Sequence, residues 1–341
     1  MENKKKATLK DIGKALGLTP SAVSKALINH PRISDKTKLA VKEMVSNLDY
    51  HPNMLSSALR KGKSNLVGII VPKVNNDYYS SVVENIENVL NKNGYNIIMT
   101  QSNESYTKEC ENIDSLLNIQ VAGIIASIAN ETVNFDYFKK VKSKGIPLVL
   151  FDRVENELEV DYVGVDNYHC SQLIVEHLVS QGYKRIAHIT GISHTQIYKD
   201  RIRGFKDALQ KYNLPIIEEL IIECNLQIED GRRIMHQLLR FPDRPDAVYA
   251  ASDFAALGAL QVLLEEQYSV PMDMGLVGFG DESFSSIMRP AISSININSS
   301  EIGKSAAYAF LNSIKNATKE VGGNKIILDV KLIVRDSSDK Q

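Results

Sequence analysis

Leu9-Lys10-Asp11-Ile12-Gly13-Lys14-Ala15-Leu16-Gly17-Leu18-Thr19-Pro20-Ser21-Ala22-Val23-Ser24-Lys25-Ala26-Leu27 is the stretch on which the reading of this chain turns. Leu9, Ile12, Ala15 and Leu16 fall at helical spacing, and Thr8 stands where a cap belongs. Gly17 stops this first segment. Thr19 is a good N-cap for a second helix, with Pro20 at its first position, where a missing N–H costs little. Ala22, Val23, Ala26 and Leu27 give that helix its buried face. A third helix follows, capped by Ser34 or Asp35, with Leu39, Ala40, Met44, Val45 and Leu48 expected to face inward. Helix, tight turn, helix leaves the second helix free to lie in a DNA major groove. Its outward residues are Pro20, Ser21, Ser24 and Lys25. Lysine and serine reach base-edge acceptors, while Thr19, Ser24 and the helix N-termini suit phosphates. On spacing alone, a helical hairpin within an all-α core fits the same pattern.

Charge separates this head from the rest. The chain of 341 residues has a formal net charge of -1. Residues 1–63 nevertheless carry 13 Lys and Arg against 5 Asp and Glu, while the remainder carries 27 basic against 36 acidic residues. A basic head on an acidic body suggests a polyanionic partner for the head only, and on charge alone an ordinary basic tail fits equally well. The three cysteines, Cys110, Cys170 and Cys224, are far apart and form no Cys-x-x-Cys pair. They indicate neither a disulfide framework nor a zinc site, and point to a reducing compartment. The charged N-terminus lacks the apolar stretch of a secretory signal, and no apolar run is long enough to cross a bilayer. The expectation is a cytoplasmic protein without membrane contact.

Residues 51–65 read as a connector: His51-Pro52 breaks the chain, and Asn53 to Leu59 suit a short helix that is unstable by itself. From Leu66 short apolar runs alternate with amphipathic helical segments. The runs are Leu66–Val71, Ile97–Met99, Gly123–Ala126, Leu148–Phe151, Val163–Val165, Ile186–Ile189, Leu220–Ile222, Ala247–Ala250 and Leu276–Phe279. This is the signature of βαβ units and parallel sheets. About ten strands is many for one compact sheet, so two sheets are expected, with a break near residue 163. The late segments Ser294–Asn298 and Ile326–Val334 return to one lobe or the other.

The head resembles that of the LacI/GalR family of bacterial regulators. The likeness continues through Asn29-His30-Pro31-Arg32-Ile33-Ser34 and Thr37, and through Leu48-Asp49-Tyr50-His51-Pro52-Asn53. Gly13 stands for the usual alanine, Leu18 for valine, Lys25 for the commoner arginine and Ser57 for the usual hinge arginine. A point-charge lysine reads guanine less rigidly than an arginine fork. The resemblance implies DNA contacts from Thr8, Thr19, Pro20, Ser21, Ser24, Lys25, Asn29, His30, Tyr50, Asn53 and Leu59. It also implies that the connector folds into a hinge helix on DNA, with Leu59 wedged into the minor groove.

The body is similar to the periplasmic sugar-binding fold that this family shares, two α/β lobes around a cleft. Its landmarks are Gly68-Ile69-Ile70-Val71-Pro72, Val121-Ala122-Gly123-Ile124-Ile125, Phe151-Asp152-Arg153, Val165-Asp166-Asn167, Arg201-Ile202-Arg203-Gly204-Phe205, Ser252-Asp253 and Val277-Gly278-Phe279. The implied organisation is an all-α helix-turn-helix DNA-binding domain over 7–51, a hinge over 52–64 and an α/β effector-binding and dimerisation domain over 65–338. Lobe one is expected at about 65–163 plus 293–324, and lobe two at about 164–292 plus 325–338.

Ligands of open α/β sheets bind beyond the C-terminal ends of strands. Tyr78, Tyr79, Ser127, Asp152, Arg153, Arg201, Asp253 and Asp281 stand there or match family ligand positions. Carboxylates and arginines hold hydroxyls, and tyrosine faces cover a ring, so a neutral, hydroxyl-rich effector, a sugar or its derivative, is implied. Each aspartate also fits the plainer role of capping the next helix. The expected partners are a near-palindromic double-stranded DNA operator, the effector and a second copy of the chain. The polar end Ser337-Ser338-Asp339-Lys340-Gln341 lacks heptads, so a dimer is expected rather than a tetramer.

Neither cofactor nor metal is implied. Gly278-Phe279-Gly280 lacks the third glycine of a dinucleotide fingerprint, since Ser283 stands there. The seven histidines are scattered, and His188 lies inside a strand as a core residue would. Two rivals remain, an exported sugar-binding protein and an α/β enzyme. The first has no use for a helix-turn-helix, and the second needs a nucleophile or cofactor motif that the sequence does not display.

Overall fold

The computed structural model describes residues 7–48, 50, 64–154, 156–316 and 323–340. Asn53, Ser57 and Leu59, expected at the hinge, lie outside them. The chain divides between Ser64 and Asn65 into two compact units, each taken by itself.

The first unit contains α1 (Leu9–Leu16), α2 (Pro20–Leu27) and α3 (Asp35–Asn47). Local chemistry sets their ends. Thr8 and Asp11 form a capping box on α1, the Thr19 hydroxyl accepts the Ala22 N–H at 3.2 Å, and the Ser34 hydroxyl accepts the Thr37 N–H at 3.3 Å. The turn between α1 and α2 is so tight that a Cβ on Gly13 would lie 2.5 Å from the Leu18 carbonyl oxygen. A side chain at position 13 would force this turn to shift. Ile12, Val23, Ala26 and Val41 form the buried centre, with Leu9, Leu16, Met44, Val45 and Tyr50 around it. Leu39, expected inside, is 62% exposed. Val41 faces the core instead, and two residues of helix separate positions by about half a turn.

The second unit carries two six-stranded sheets among its described residues. The first holds β1 (Leu66–Val71), β2 (Asn96–Gln101), β3 (Gly123–Ala126), β4 (Leu148–Phe151), β5 (Asp161–Val165) and β11 (Lys325–Leu328), in the order β11-β5-β4-β3-β1-β2. The second holds β6 (Ile186–Thr190), β7 (Ile221–Glu223), β8 (Ala247–Ala250), β9 (Gly275–Phe279), β10 (Ser293–Asn296) and β12 (Lys331–Ile333), in the order β12-β10-β9-β8-β6-β7. All pairings are parallel except β10 with β12.

Helices α4 (Asp77–Lys92), α5 (Tyr106–Asn118), α6 (Asp136–Ser143) and α12 (Ser299–Lys315) belong to the first lobe. Helices α7 (Asn167–Ser180), α8 (Gln196–Lys211), α9 (Ile228–Leu239), α10 (Asp253–Glu265) and the short α11 (Ser283–Ile287) belong to the second. One apolar cluster runs under α4, α7, α8 and α12 and covers one face of both sheets. The opposite faces have separate cores, one under α5 and α6 and one under α9 and α10. Helices on both faces explain why the central strands are apolar runs rather than alternating ones.

The chain crosses between lobes three times, after β5, after β10 and between β11 and β12. This corrects the expected assignment of the return segments. Residues 293–296 were placed with lobe one, yet β10 lies parallel to β9 in the second sheet. Residues 325–328 were placed with lobe two, yet β11 lies parallel to β5 in the first. Ile326–Val334, taken as one late segment, is cut at Asp329-Val330, which carries the chain from one sheet to the other.

Candidate functional site

On the head, Thr8, Thr19, Pro20, Ser21, Lys25 and Asn29 are exposed, and Ser24, His30 and Tyr50 are half-buried. Thr8 and Thr19 spend their hydroxyls on caps. Asn29 takes a left-handed φ of 53° as the chain leaves α2, and His30 Nδ1 accepts the Arg32 N–H at 3.1 Å. Tyr50 packs against the apolar centre. Ser21, Ser24 and Lys25 share the outer side of α2, and no described residue bonds to their side chains. Toward the described residues, that face leaves its hydrogen-bonding capacity unused.

In the second unit a cavity of about 160 Å³ lies between the lobes, beyond the C-terminal ends of strands from both sheets. Lobe one contributes Tyr78 and Tyr79 at the start of α4, and Asp152 and Arg153 after β4. Asp152 sits at φ +64°, a backbone conformation L residues rarely adopt, which aims its carboxylate inward. Its Oδ2 accepts the Tyr79 hydroxyl at 2.7 Å and the Ser127 hydroxyl at 3.3 Å. Ser127 is fully buried and does not line the cavity, so it positions Asp152 rather than facing a ligand. Burial pushes the Tyr78 and Tyr79 phenols well above their ordinary range, so both hydroxyls are neutral donors. The Tyr78 hydroxyl is buried without a hydrogen-bond partner.

Lobe two contributes Arg201 from α8. Its Nε donates to Asn167 Oδ1 at 2.9 Å and its Nη1 to the Ala251 carbonyl at 3.0 Å. The guanidinium lies 3.5 Å from the centre of the Phe279 ring. It forms no ion pair with Asp152 or Asp253. Tyr198, Ser252, Phe254 and Phe279 complete this wall.

Two further expected ligand contacts are placed elsewhere. Asp253 is fully buried and does not line the cavity. Its Oδ1 accepts the Ser294 hydroxyl at 2.7 Å and its Oδ2 the Glu282 N–H at 2.7 Å, so it ties the loop after β9 to β10. Burial pushes its carboxyl up to about 6. Asp281 also lies off the cavity, accepting from Arg335 Nη2 at 2.6 Å and from Asn296 Nδ2 at 2.8 Å. Neither aspartate caps the next helix, the plainer role expected of them; each is spent on bonds to neighbouring loops and strands instead.

The lining residues that were not anticipated include Glu104, Asn130, Tyr198 and Glu282. Glu104 binds Arg153 through both oxygens, at 2.6 and 2.9 Å. Asn130 Oδ1 is buried without a partner, and the Asn130 carbonyl meets His194 of the other lobe. Glu282 crosses between the lobes as well, its Oε2 accepting the Asp77 N–H at 2.8 Å, while Asp77 Oδ2 accepts the Ser283 N–H at 2.8 Å. Burial pushes the Glu282 carboxyl up to about 7. Glu104, Asn130 and Glu282 each come a few residues after a strand, and that position was the available signal.

Among the described residues no helix is long and apolar enough to cross a membrane. The profile described as "Bacterial regulatory proteins, lacI family" matches residues 8–53, and that described as "Periplasmic binding protein domain" matches residues 67–318. The NTD biosynthesis operon regulator of Bacillus subtilis is 26% identical over 331 residues, covering 97% of this chain and 99% of that protein. The ribose operon repressor of Haemophilus influenzae is 26% identical, covering 97% of this chain and 98% of that protein. The crystal structure of the Lac repressor dimer bound to operator and the anti-inducer ONPF has the same fold, with a TM-score of 0.86 at 22% identity, over 98% of this chain and 99% of that one. With a helix-turn-helix head of that profile and a two-lobed periplasmic-binding-protein-like domain behind it, the chain belongs to the LacI family of bacterial transcriptional regulators.

Proposed function

We propose that this regulator is a repressor that binds a near-palindromic operator as a homodimer and is controlled by a sugar or sugar derivative held between its lobes. The observation that carries the effector reading is the unspent polar capacity of the cavity. The Tyr78 hydroxyl and Asn130 Oδ1 are buried and unpartnered, Asp152 Oδ1 accepts nothing from the described residues, and Arg201 lies on the Phe279 ring in the same cavity wall. Buried polar groups left unsatisfied are costly, so a ligand that supplies both donors and acceptors is favoured there. A hydroxylated ring does so while resting on aromatic faces. The name of the ribose operon repressor agrees with a sugar-linked effector. One head spans a single half-site, and two-fold protein symmetry is mirrored in the DNA. The dimer contact belongs to the body, because the head is too small for a standard interface of ~1,600 Å².

The test couples both halves. The purified protein is screened by thermal shift against a library of sugars and nucleotides, and each hit is added to a gel shift on DNA selected from random sequence. A sugar that raises the melting temperature and changes operator affinity is the expected result. A nucleotide hit with no sugar hit removes the sugar reading, and a monomer at micromolar concentration removes the dimeric operator.

A further inference from the structure

The cavity lining carries Lys73, Arg153 and Arg201 against Glu104, Asp152 and Glu282, so its formal charges balance. The central pair in that balance is Arg153 with Glu104. Arg153 is 8% exposed, and its second guanidinium bond from Nη1 goes to the Ile128 carbonyl at 2.9 Å. Glu104 engages both terminal nitrogens of Arg153 and also accepts the Asn130 N–H at 2.8 Å. The loop that presents it is unusual. Asn103 and Glu104 both take left-handed backbone, at φ 52° and 63°. Such conformations in non-glycine residues are costly and persist only where the surroundings fix them. Burial pushes the Glu104 carboxyl up, but Arg153 more than offsets this and holds it below the usual range, so it is a carboxylate at neutral pH. Both terminal nitrogens of this lining guanidinium are thereby occupied from within the protein, while its Nε is buried without a hydrogen-bond partner.

We propose that Glu104 sets the charge specificity of the cleft: by holding Arg153 in a two-pronged pair it reserves the cavity for an uncharged polyhydroxyl ligand and excludes phosphorylated or carboxylate-bearing sugars. The proposal rests on the sugar reading above and narrows it. An incoming phosphate or carboxylate must displace Glu104 from Arg153, leaving one anion buried without its partner. A neutral ring meets no such obstacle, and it finds the unpartnered Tyr78 hydroxyl and Asn130 Oδ1 beside the pair. Discrimination by an internal competing charge is specificity achieved through a repulsive element rather than through added contacts.

The experiment measures thermal shift and calorimetric affinity for wild type, Glu104→Gln and Glu104→Ala. The neutral probes are glucose, galactose and ribose, and the anionic probes are glucuronate, galacturonate, ribose phosphate and inorganic phosphate. Wild type is expected to respond to a neutral probe and not to its anionic counterpart. Glu104→Gln is expected to gain roughly tenfold or more in affinity for an anionic probe. Adding Arg153→Met to Glu104→Gln is expected to remove that gain. A merely structural Glu104 would lower stability without exchanging one charge preference for another. Glu104→Gln keeps the side-chain shape and an acceptor for Asn130, so it decides the matter even where Glu104→Ala unfolds. An anionic probe that binds wild type as well as its neutral counterpart overturns the proposal and leaves the sugar reading standing, as does a folded Glu104→Gln with no gain for anions. Silence of wild type toward every probe counts against the sugar reading itself, and the proposal falls with it.

Discussion

The outer side of α2 and the strand ends around the cleft are both rich in polar side chains, but they spend them differently. On α2, Ser21, Ser24 and Lys25 have no partner among the described residues. Around the cleft, Ser127, Asp253 and Asp281 are bonded within the protein. Tyr78, Asn130 and the Arg153 Nε are exceptions, buried with unmet bonds. A polar residue after a strand therefore marks a place where function can be built. Its role follows from whether its hydrogen-bonding capacity is already used.

Asp253 and Arg201 give the hardest test of this contrast. Asp253→Ala leaves the Glu282 N–H and the Ser294 hydroxyl without an acceptor in a buried setting. It is expected to cost about 3 kcal/mol of stability while the folded fraction keeps its effector affinity. Arg201→Ala also loses stability, through Asn167 and Phe279, but its effector affinity is expected to fall with it. Denaturant melts and calorimetry on both variants separate the two. Loss of ligand affinity in well-folded Asp253→Ala would return that residue to the binding site.

The same buried carboxyls give a pH dependence of definite sign. Burial raises Asp253 to about 6 and Glu282 to about 7, both above their ordinary values. An acid with a raised folded value binds its proton more tightly in the folded protein. Its stabilising contribution is fullest at low pH and is lost as the pH rises through the folded value. Stability from these groups is therefore expected to decline between about pH 4 and pH 7, by about 2 kcal/mol for Glu282. Glu282→Gln, still able to accept from Asp77, should flatten that part of the profile. Parallel melting curves of wild type and variant across pH 5 to 8 would show that Glu282 does not titrate there.

The ease of reading the sequence follows the same division. The caps at Thr8 and Thr19 were legible, and Ser34 as one of two candidates with Asp35, because capping is settled within a few residues. The strands were legible because a sheet covered on both faces leaves apolar runs. The late segment Ile326–Val334 was placed whole in one lobe because its partners, β5 and β10, are remote in sequence and nothing local says which sheet takes which half. In the cleft, Tyr78, Tyr79, Asp152, Arg153 and Arg201 do line the cavity. Glu104 stayed hidden because its significance depends on a partner at Arg153 that no spacing rule connects to it.

The smallest expected effects lie on the head, where two neighbours in sequence separate folding from reading. Thr19 and Ser21 are both exposed hydroxyl residues at the start of α2. The Thr19 hydroxyl caps the helix by accepting the Ala22 N–H, so Thr19→Ala is expected to cost about 1 kcal/mol of head stability. Ser21 bonds to nothing within the described protein, and exposed substitutions of that kind stay within about 0.5 kcal/mol. Ser21→Ala and Lys25→Ala should therefore leave the melt of the head unchanged. Each should instead weaken specific DNA binding by about 1–3 kcal/mol if its base contact is well made, and relax the base preference at one position. Thr19→Ala should weaken binding on selected and random DNA together, because a frayed helix start disturbs position more than readout. Operator selection with each variant, alongside thermal melts, tests all three at once. An unchanged sequence preference in Ser21→Ala and Lys25→Ala would move the reading surface off α2, whereas a large stability loss there would show that these side chains have internal partners after all.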